Sequence, residues 1–253
     1  MDLVIEWLGH MPYREAWRRQ RELVETRAAG HITDTLLLVE HEAVLTLGRQ
    51  AIEAHVVASP AELQRRGIEV IRVERGGEVT YHGPGQLVAY PIVRLRDRGI
   101  LLRPFVRALE SAMADVAASY GVAAAARPGY PGSWVDPTGP RPRKLGALGL
   151  RLERGVTFHG IALNISTRLD DFALIDPCGI AGLDVTSIAR ELHWQGEAAE
   201  PTTASVQEAG RRFGDAFGRR LQDAFAASAG PQTTAADRAP APAAEQQSPA
   251  AVH

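Results

Sequence analysis

The sequence is poor in two reactive residue types, and it has no long apolar run. Among its 253 residues there is one cysteine, Cys178, and only one of the 28 basic residues is a lysine, Lys144. A single cysteine excludes an internal disulfide and fits a reducing compartment, so we expect a cytoplasmic protein. No apolar segment reaches the roughly 18 residues that span a bilayer. The acidic start M-D-L-V-I-E-W lacks the basic and apolar regions of a signal peptide, so we expect none.

The overall charge and the scattered histidines exclude further classes of protein. A net charge of −2 does not favour binding to nucleic acid or to a membrane surface. The eight histidines include no helical pair at metal-ligand spacing, and one cysteine cannot form a structural zinc site. We therefore expect neither a metal nor a cofactor.

The chain is long enough to bury a core, and its last segment differs in composition from the rest. Residues 229–253 contain nine alanines, four prolines and no aromatic residue. Such a segment cannot bury enough apolar surface to become ordered. The sequence predicts one domain over residues 1–228, followed by a disordered tail.

Apolar periodicity and capping residues predict five helices. The predicted helices are Tyr13–Ala29, Ala61–Arg66, Pro104–Tyr120, Ser187–Leu192 and one that begins near Ser205 and ends at Phe225. Two of them present an apolar face. These faces comprise Phe105, Val106, Leu109, Met113 and Val116 in one helix, and Val206, Ala209, Phe213, Phe217, Leu221 and Phe225 in the other.

Short apolar runs between these helices predict strands. The predicted strands are Leu3–Leu8, Leu36–Val39, Val44–Leu47, Ile68–Glu74, Leu87–Leu95 and Val122–Ala125. The segment Glu40–Glu42 reads as a polar turn in a strand pair, with His41 exposed to solvent. Lys144–Arg151 and Val156–Ile165 predict a second β-hairpin. Residues 127–143, with five prolines and three glycines, predict a loop in which Trp134–Val135 forms at most a brief strand.

The stretch Arg75–Gln86 reads R-G-G-E-V-T-Y-H-G-P-G-Q and contains four glycines. Because glycine lets other groups approach the backbone closely, this stretch is a candidate wall of a ligand site. The alternative is an ordinary hairpin loop. The stretch is not a P-loop, because no Gly-Lys-Ser/Thr follows it. It is also not a dinucleotide-binding fingerprint, because a strand follows where a helix should begin.

The lone lysine and the lone cysteine suggest a specific chemistry. Cys178 lies between Pro177 and Gly179, in a turn that is a poor place for a core residue. A thiol with its ordinary pKa of about 8.5 is mostly protonated at neutral pH, and a nearby ammonium favours the nucleophilic thiolate. The alternatives are a chance surface lysine and a Cys–His pair that uses His82 or His159.

Four segments in a fixed order resemble one known family. They are R-G-G-E-V-T-Y-H-G-P-G-Q-L-V-A-Y-P-I, K-L-G-A-L-G-L-R, T-F-H-G-I-A-L-N-I and D-P-C-G-I. Together they resemble the octanoyltransferases, the lipoyl(octanoyl) transferases of lipoate biosynthesis, and the resemblance covers roughly residues 1–225. It implies an α/β fold of the α+β type, with a mixed β-sheet core flanked by helices, as in lipoate- and biotin-protein ligases.

The resemblance also implies an activity and its protein partners. An octanoyl group would pass from octanoyl-acyl carrier protein to a lysine of a lipoyl domain, without a cofactor. The acceptors would be the lipoyl domains of 2-oxoacid dehydrogenases and the H protein of glycine cleavage. Both the donor and the acceptor would dock in turn, which is consistent with ping-pong kinetics.

The resemblance assigns roles to individual residues. Cys178 matches the acyl-carrying nucleophile, and Lys144 matches the residue that activates it. The residues matching substrate-binding positions are Arg75, Gly76, Gly77, Glu78, Val79, Thr80, Tyr81, His82, Ala147, Leu148, Gly149, Gly160, Ile161 and Ala162.

Those positions suggest how the site is built. Glycines 76, 77, 83 and 85 would let an acyl chain lie against the backbone. The hairpin at 144–165 would form the opposite wall, with backbone N–H groups available to an oxyanion. His82 would orient the thioester or have a structural role, and His159 would support the site from behind.

Two other functions remain open at this level. An ATP-dependent lipoate or biotin ligase would share the fold, but it needs no cysteine nucleophile. A non-catalytic protein that binds acyl groups or lipoyl domains would need neither Lys144 nor Cys178.

Overall fold

The computed structural model describes residues 2–176, 184–194 and 206–229, so Cys178 and residues 230–253 of the expected tail lie outside the described residues. The strands are β1 (Leu3–Met11), β2 (Asp34–His41), β3 (Val44–Leu47), β4 (Glu69–Arg72), β5 (Val79–His82), β6 (Gln86–Ile92), β7 (Ala125–Arg127), β8 (Tyr130–Val135), β9 (Arg143–Glu153), β10 (Val156–Asn164) and β11 (Asp184–Val185). The α-helices are α1 (Tyr13–Ala29), α2 (Pro60–Arg66), α3 (Leu102–Ala118), α4 (Ile188–Trp194) and α5 (Val206–Ala229). Short 3₁₀ segments span Glu53–His55, Leu95–Arg98 and Leu169–Leu174.

The strands form one large mixed sheet and one small sheet. The large sheet has the order β1-β2-β6-β10-β9-β8-β7, and β11 also pairs with β9. The β1–β2 and β9–β11 pairs are parallel, whereas the other neighbours in this sheet are antiparallel. The small sheet has the order β4-β3-β5. The predicted mixed sheet and the predicted hairpin of residues 144–165 are confirmed.

Both faces of the large sheet are covered, and β2 shows how. Leu36 and Leu38 pack in the cluster that contains α3 and α5, while Leu37 and Val39 pack in the cluster that contains α1 and residues of the small sheet. Successive side chains of a strand point to opposite faces of the sheet, so these four consecutive apolar residues contribute to the hydrophobic core on each face.

The helices begin and end where local chemistry predicts. Helix α1 has the predicted bounds, and Gly30 ends it with a φ of 84°, in the left-handed region. Ser59 caps α2 by accepting a hydrogen bond from the Glu62 N–H at 3.2 Å. Two details of the predicted apolar faces are wrong, because Phe225 is 50% exposed and Val106 is only half-buried. No helix in the described ranges is long and apolar enough to cross a membrane.

The predicted hairpin of residues 36–47 is wrong, because β2 and β3 belong to different sheets. The chain crosses between the sheets at residues 41–43, where Glu42 is exposed to solvent but the side chain of His41 lies in the interior. His41 is accordingly fully buried, with Nε2 2.8 Å from the Tyr90 hydroxyl and Nδ1 3.0 Å from the Met11 carbonyl oxygen.

The glycine-rich stretch is also not a hairpin loop. It contains strand β5, and it carries the chain from the small sheet to β6 in the large sheet. The proline-rich segment likewise contains more structure than expected, since β8 spans six residues and pairs with β9. In both segments, strand pairing across the sheet outweighs the local preference of glycine and proline for loops.

A buried ion-pair network gives a testable statement about stability. Asp34 is 2% exposed and accepts hydrogen bonds from Arg27 Nε at 2.7 Å and Arg98 Nε at 2.5 Å. Asp34→Ala leaves the buried Arg98 guanidinium without a carboxylate, while Arg27 keeps only Asp97. We therefore expect a loss of about 3–5 kcal/mol in the free energy of unfolding. Urea denaturation measures this loss.

The matched control is Glu69→Ala, which removes the exposed partner of Arg14. Because exposed ion pairs contribute roughly 0–1 kcal/mol, this variant should stay close to the unmodified protein. Equal losses in the two variants would contradict the role assigned to Asp34.

Candidate active site

A cavity of about 480 Å³ lies between the glycine-rich stretch and the β9–β10 hairpin, and its walls are mainly apolar. It contains Lys144 and nearly all of the predicted substrate-binding residues. Those that line it are Arg75, Gly76, Gly77, Glu78, Val79, Thr80, His82, Ala147, Leu148, Gly149, Gly160, Ile161 and Ala162. The structure thus brings three separate segments of the sequence around one space, namely residues 75–82, 144–149 and 160–162.

Tyr81 is the predicted site residue that does not line this cavity. Its ring is buried against Phe172, with centroids 5.4 Å apart, and its hydroxyl donates to Asp171 Oδ2 at 2.9 Å. Strand alternation explains this, because Tyr81 lies between Thr80 and His82 on β5 and points the other way.

Gly83 and Gly85, expected to contact an acyl chain, instead allow close packing elsewhere. A Cβ on Gly83 would lie 2.0 Å from the Tyr81 hydroxyl oxygen. Gly85 has a φ of 81°, and a Cβ there would lie 2.6 Å from the carbonyl carbon of Ser166. Neither glycine is among the residues that line the cavity.

The two walls of the cavity meet backbone to backbone. The Gly76 N–H donates to the Leu150 carbonyl oxygen at 2.9 Å, and a Cβ on Gly149 would lie 2.7 Å from the Gly76 carbonyl oxygen. Arg75 is buried and donates from Nη2 to the carbonyl oxygen of Thr46 at 2.7 Å, which fixes the stretch to β3. Gly149, within β9, therefore marks a close approach of another chain segment.

A chain of amide groups fixes the tautomer of His82. The Thr186 carbonyl oxygen can only accept, so Asn164 donates to it from Nδ2 at 2.9 Å and accepts at Oδ1 from Gln86 Nε2 at 2.9 Å. Gln86 Oε1 then faces His82 Nδ1 at 2.8 Å. Because this oxygen is an acceptor, Nδ1 carries the hydrogen and Nε2 is left as an acceptor, 3.4 Å from the Thr46 hydroxyl oxygen.

The buried histidines around the cavity are held neutral. Burial, together with the positive potential of His41 and Arg75, lowers the pKa of His82 to about 3. Burial also lowers the pKa of His41 to about 4 and lowers that of His159, although Glu74 opposes the latter shift. A base this weak accepts a proton poorly at neutral pH, so these side chains act as hydrogen-bonding groups.

Lys144 lies near the start of β9, between two other strands. Its register partners are Trp134 on β8 and Val185 on β11, and its carbonyl oxygen accepts from the Thr186 N–H at 3.0 Å. The lysine Nζ lies 5.1 Å from the centroid of the Trp134 ring. The side chain is half-buried and contributes to the cavity wall.

The described residues on each side of Cys178 are anchored near this cavity. On the N-terminal side, the Asp176 N–H donates to the His55 carbonyl oxygen at 2.8 Å. On the C-terminal side, Val185 pairs with Lys144 and lines the cavity, as Phe172 does from the preceding segment.

Sequence reasoning missed several polar residues of the cavity. Tyr13, Gln86, Tyr90 and Asn164 line it, and all four are buried. The signal that could have revealed Asn164 is an amide inside the apolar strand I-A-L-N-I, since buried polar groups need partners. Within the described part of the chain, no three His, Cys, Asp or Glu side chains are grouped so as to hold a metal ion.

Comparison with known proteins defines the class to which this fold and cavity belong. Residues 12–217 match the family described as the lipoyl protein ligase A/B catalytic domain. An octanoyltransferase of Chloroflexus aggregans is 48% identical over 191 residues, covering 75% of this chain and 85% of the relative. An octanoyltransferase of Acidobacterium capsulatum is 44% identical over 229 residues, covering 87% and 92%. The chain therefore belongs to this family of catalytic domains and, within it, to the octanoyltransferases, which are acyltransferase enzymes.

Solved structures show the same fold at low sequence identity. A bi-partite lipoate protein ligase from Thermoplasma acidophilum matches with a TM-score of 0.59 at 16% identity, covering 90% of this chain and 91% of that one. A lipoate-protein ligase A bound with ATP matches with a TM-score of 0.58 at 16% identity, covering 90% and 93%. The predicted fold class, shared with lipoate-protein ligases, is confirmed.

The buried neutral histidines predict how stability depends on pH. The unfolded chain binds protons at histidine below pH 6.5, whereas folded His41 and His82 bind them only near pH 4 and pH 3. The free energy of unfolding should therefore fall as the pH falls from 6.5 to 4, by up to about 1.4 kcal/mol per pH unit for each of the two. Urea denaturation at several pH values measures the slope.

Replacing one of these histidines should flatten the slope. His41→Gln removes the titrating group and can still hydrogen-bond to Tyr90, while His31→Gln changes an exposed histidine and should leave the slope unchanged. Equal slopes for His41→Gln and the unmodified protein would refute the assignment.

Proposed function

We propose that this octanoyltransferase transfers an octanoyl group from octanoyl-acyl carrier protein to a specific lysine of lipoyl domains, through a thioester on Cys178. The acceptors are the lipoyl domains of 2-oxoacid dehydrogenases and the H protein of glycine cleavage. The reaction uses the energy of the incoming thioester, so it needs no ATP and no cofactor.

The observation that carries this proposal is the pairing of β11 with β9. It fixes Val185, seven residues after Cys178, directly beside Lys144 at the cavity wall. The residues before Cys178 are tied to the same region through Asp176 and His55. These contacts of its described neighbours in the sequence support a pairing of the lone cysteine with the lone lysine.

The cavity supports an acyl substrate. Its volume of about 480 Å³ lies within the roughly 300–1,000 Å³ that small-molecule sites occupy. Its mainly apolar lining favours a hydrocarbon chain, and the neutral state of His82 and His159 avoids placing a charge beside that chain.

The proposed reaction has two balanced halves. In the first, the Cys178 thiolate attacks the carbonyl carbon of the donor thioester, and the carrier thiolate leaves with the electron pair of the broken C–S bond. In the second, the neutral amine of the acceptor lysine attacks the new thioester. The Cys178 thiolate then leaves with the electron pair of its C–S bond, and the proton that the amine loses as the amide forms passes to solvent.

Lys144 assists both halves in this scheme. An ammonium close to Cys178 favours the thiolate over the thiol, and so it stabilises the attacking group in the first half and the leaving group in the second. Ala147 of β9 pairs with β8 on one side and with β10 on the other. That pairing occupies backbone donors of the hairpin, so we assign part of the stabilisation of the oxyanion to the Lys144 ammonium.

Transfer without ATP tests the proposal directly. Incubation with octanoyl carrier protein and an apo lipoyl domain should yield an octanoylated domain without ATP. Incubation with the donor alone should yield one octanoyl adduct, and peptide mass spectrometry should locate it on Cys178. Cys178→Ala should abolish both the adduct and the transfer.

The ATP-dependent ligase gives the opposite pattern. It would transfer free octanoate only when ATP is present, and Cys178→Ala would retain that activity. Such a result, or an adduct on a residue other than Cys178, would overturn the thioester mechanism.

Lys144→Arg tests whether the position of the charge matters. Arginine keeps the positive charge but is a wide planar fork, so it displaces that charge from the site of the lysine ammonium. We expect the transfer rate to fall by about 10- to 100-fold, the loss that a misplaced catalytic group causes. The matched control is Arg154→Lys in the exposed turn of the hairpin, which should leave the rate unchanged. Full activity of Lys144→Arg would show that the charge alone suffices.

A further inference from the structure

Trp134 is a fully buried aromatic residue that the reaction scheme does not use. It lies directly opposite Lys144 in the β8–β9 pairing, and Lys144 Nζ is 5.1 Å from the centroid of its ring. A lysine ammonium within about 6 Å of an indole face is attracted by the negative potential of that face. The lysine head group therefore has a specific neighbour besides any substrate.

The indole is itself held in one orientation. Its Nε1–H donates to the Tyr130 carbonyl oxygen at 2.9 Å, and the Tyr130 ring packs against it edge-on, with centroids 6.0 Å apart. The Arg127 guanidinium also lies over Tyr130, at 4.7 Å, and 5.2 Å from the Trp134 ring. The ring thus forms a rigid aromatic surface that contacts two cations.

An irregularity in β8 brings the lysine stem to this surface. The register of β8 against β9 shifts between Ser133 and Trp134. Next to the shift, Gly132 has a φ of 126°, and a Cβ there would lie 2.2 Å from the Gly146 carbonyl oxygen and 3.4 Å from Lys144 Cε. The close approach of Gly146 requires a glycine at position 132, the lysine stem passes that position at van der Waals distance, and the indole contacts the head group.

We propose that Trp134 is a positioning residue, which holds the Lys144 ammonium in place at the cavity wall through a cation–π contact. A lysine side chain has many rotamers, and fixing it costs conformational entropy that a favourable contact offsets. The contact also favours the charged form over the neutral amine. The consequence for acyl transfer rests on the proposed function, but the contact itself does not.

The single lysine makes the contact directly measurable. Protein grown with ¹³C-labelled lysine should give one set of side-chain signals, which belong to Lys144. Protons held over an aromatic face are shifted to low frequency by the ring current. The Lys144 Hε signals should show that shift, and Trp134→Leu should remove it. The matched control is Trp7→Leu on β1, which four strands separate from β8 in the sheet order, and it should leave these signals unchanged.

A second measurement avoids any question of misfolding. In this measurement, fluorinated tryptophans replace tryptophan in the protein. They keep the shape of the ring, and each added fluorine reduces the negative potential of the indole face. The Lys144 signals should move stepwise toward their unshifted positions as the contact weakens. Trp134→Phe, which keeps a weaker aromatic face, should give an intermediate shift. Lysine signals insensitive to both Trp134→Leu and the fluorine series would overturn the proposal.

A functional readout separates this proposal from the reaction scheme. Trp134→Leu should raise the pH midpoint of Cys178 alkylation by iodoacetamide by about one unit, because a mobile ammonium stabilises the thiolate less. Trp134→Phe should restore part of that shift. If neither Trp134→Leu nor Lys144→Met changes the midpoint, the proposed activation of Cys178 by Lys144 is wrong. If Lys144→Met changes the midpoint and Trp134→Leu does not, only the role of Trp134 is refuted.

Discussion

The site depends on the pairing of β9 with a different strand along each part of its length. Residues 143–147 of β9 pair with β8 and residues 146–153 pair with β10, whereas at Arg143 and Lys144 the side away from β8 pairs with β11. Arg143 strengthens this end through its hydrogen bonds to Glu191 at 2.8 and 2.9 Å, and Glu191 in turn accepts from the Thr186 hydroxyl. Because β11 takes the place of β10 at this end of β9, the segments on both sides of Lys144 are held by hydrogen bonds to the same strand.

The same arrangement explains why the glycines lie where they do. Gly76 and Gly149 meet across the cavity wall, and Gly160 lies against the backbone of β6, where a Cβ would be 2.0 Å from the Ala89 carbonyl oxygen. Because these approaches are between backbones, a larger residue would separate the strands. The cavity is therefore shaped by close backbone packing around its rim as much as by the side chains that point into it.

Much of the fold and of the cavity could be predicted from the sequence, and the predictions that were wrong have a common cause. Periodicity and caps located α1 and α2 to the residue or nearly so, and the lone Lys144 identified one end of the cavity. The errors lie where a segment passes between the two sheets, as at His41, or where strand pairing outweighs a run of prolines and glycines, as in β8. Local preference predicts turns in such places, because it does not include the pairing and packing that other segments supply.

The amide chain that ends at His82 has a direction. Each group donates toward Thr186 and accepts from the side of His82, and Gln86 Nε2 also donates to the Tyr81 carbonyl oxygen at 3.2 Å. Turning either amide over would set acceptor against acceptor, and the chain could not reverse to relieve this, because neither backbone carbonyl can donate. Two backbone carbonyls therefore determine which nitrogen of the His82 ring bears hydrogen, so the side of this imidazole that can accept a hydrogen bond is set by the backbone.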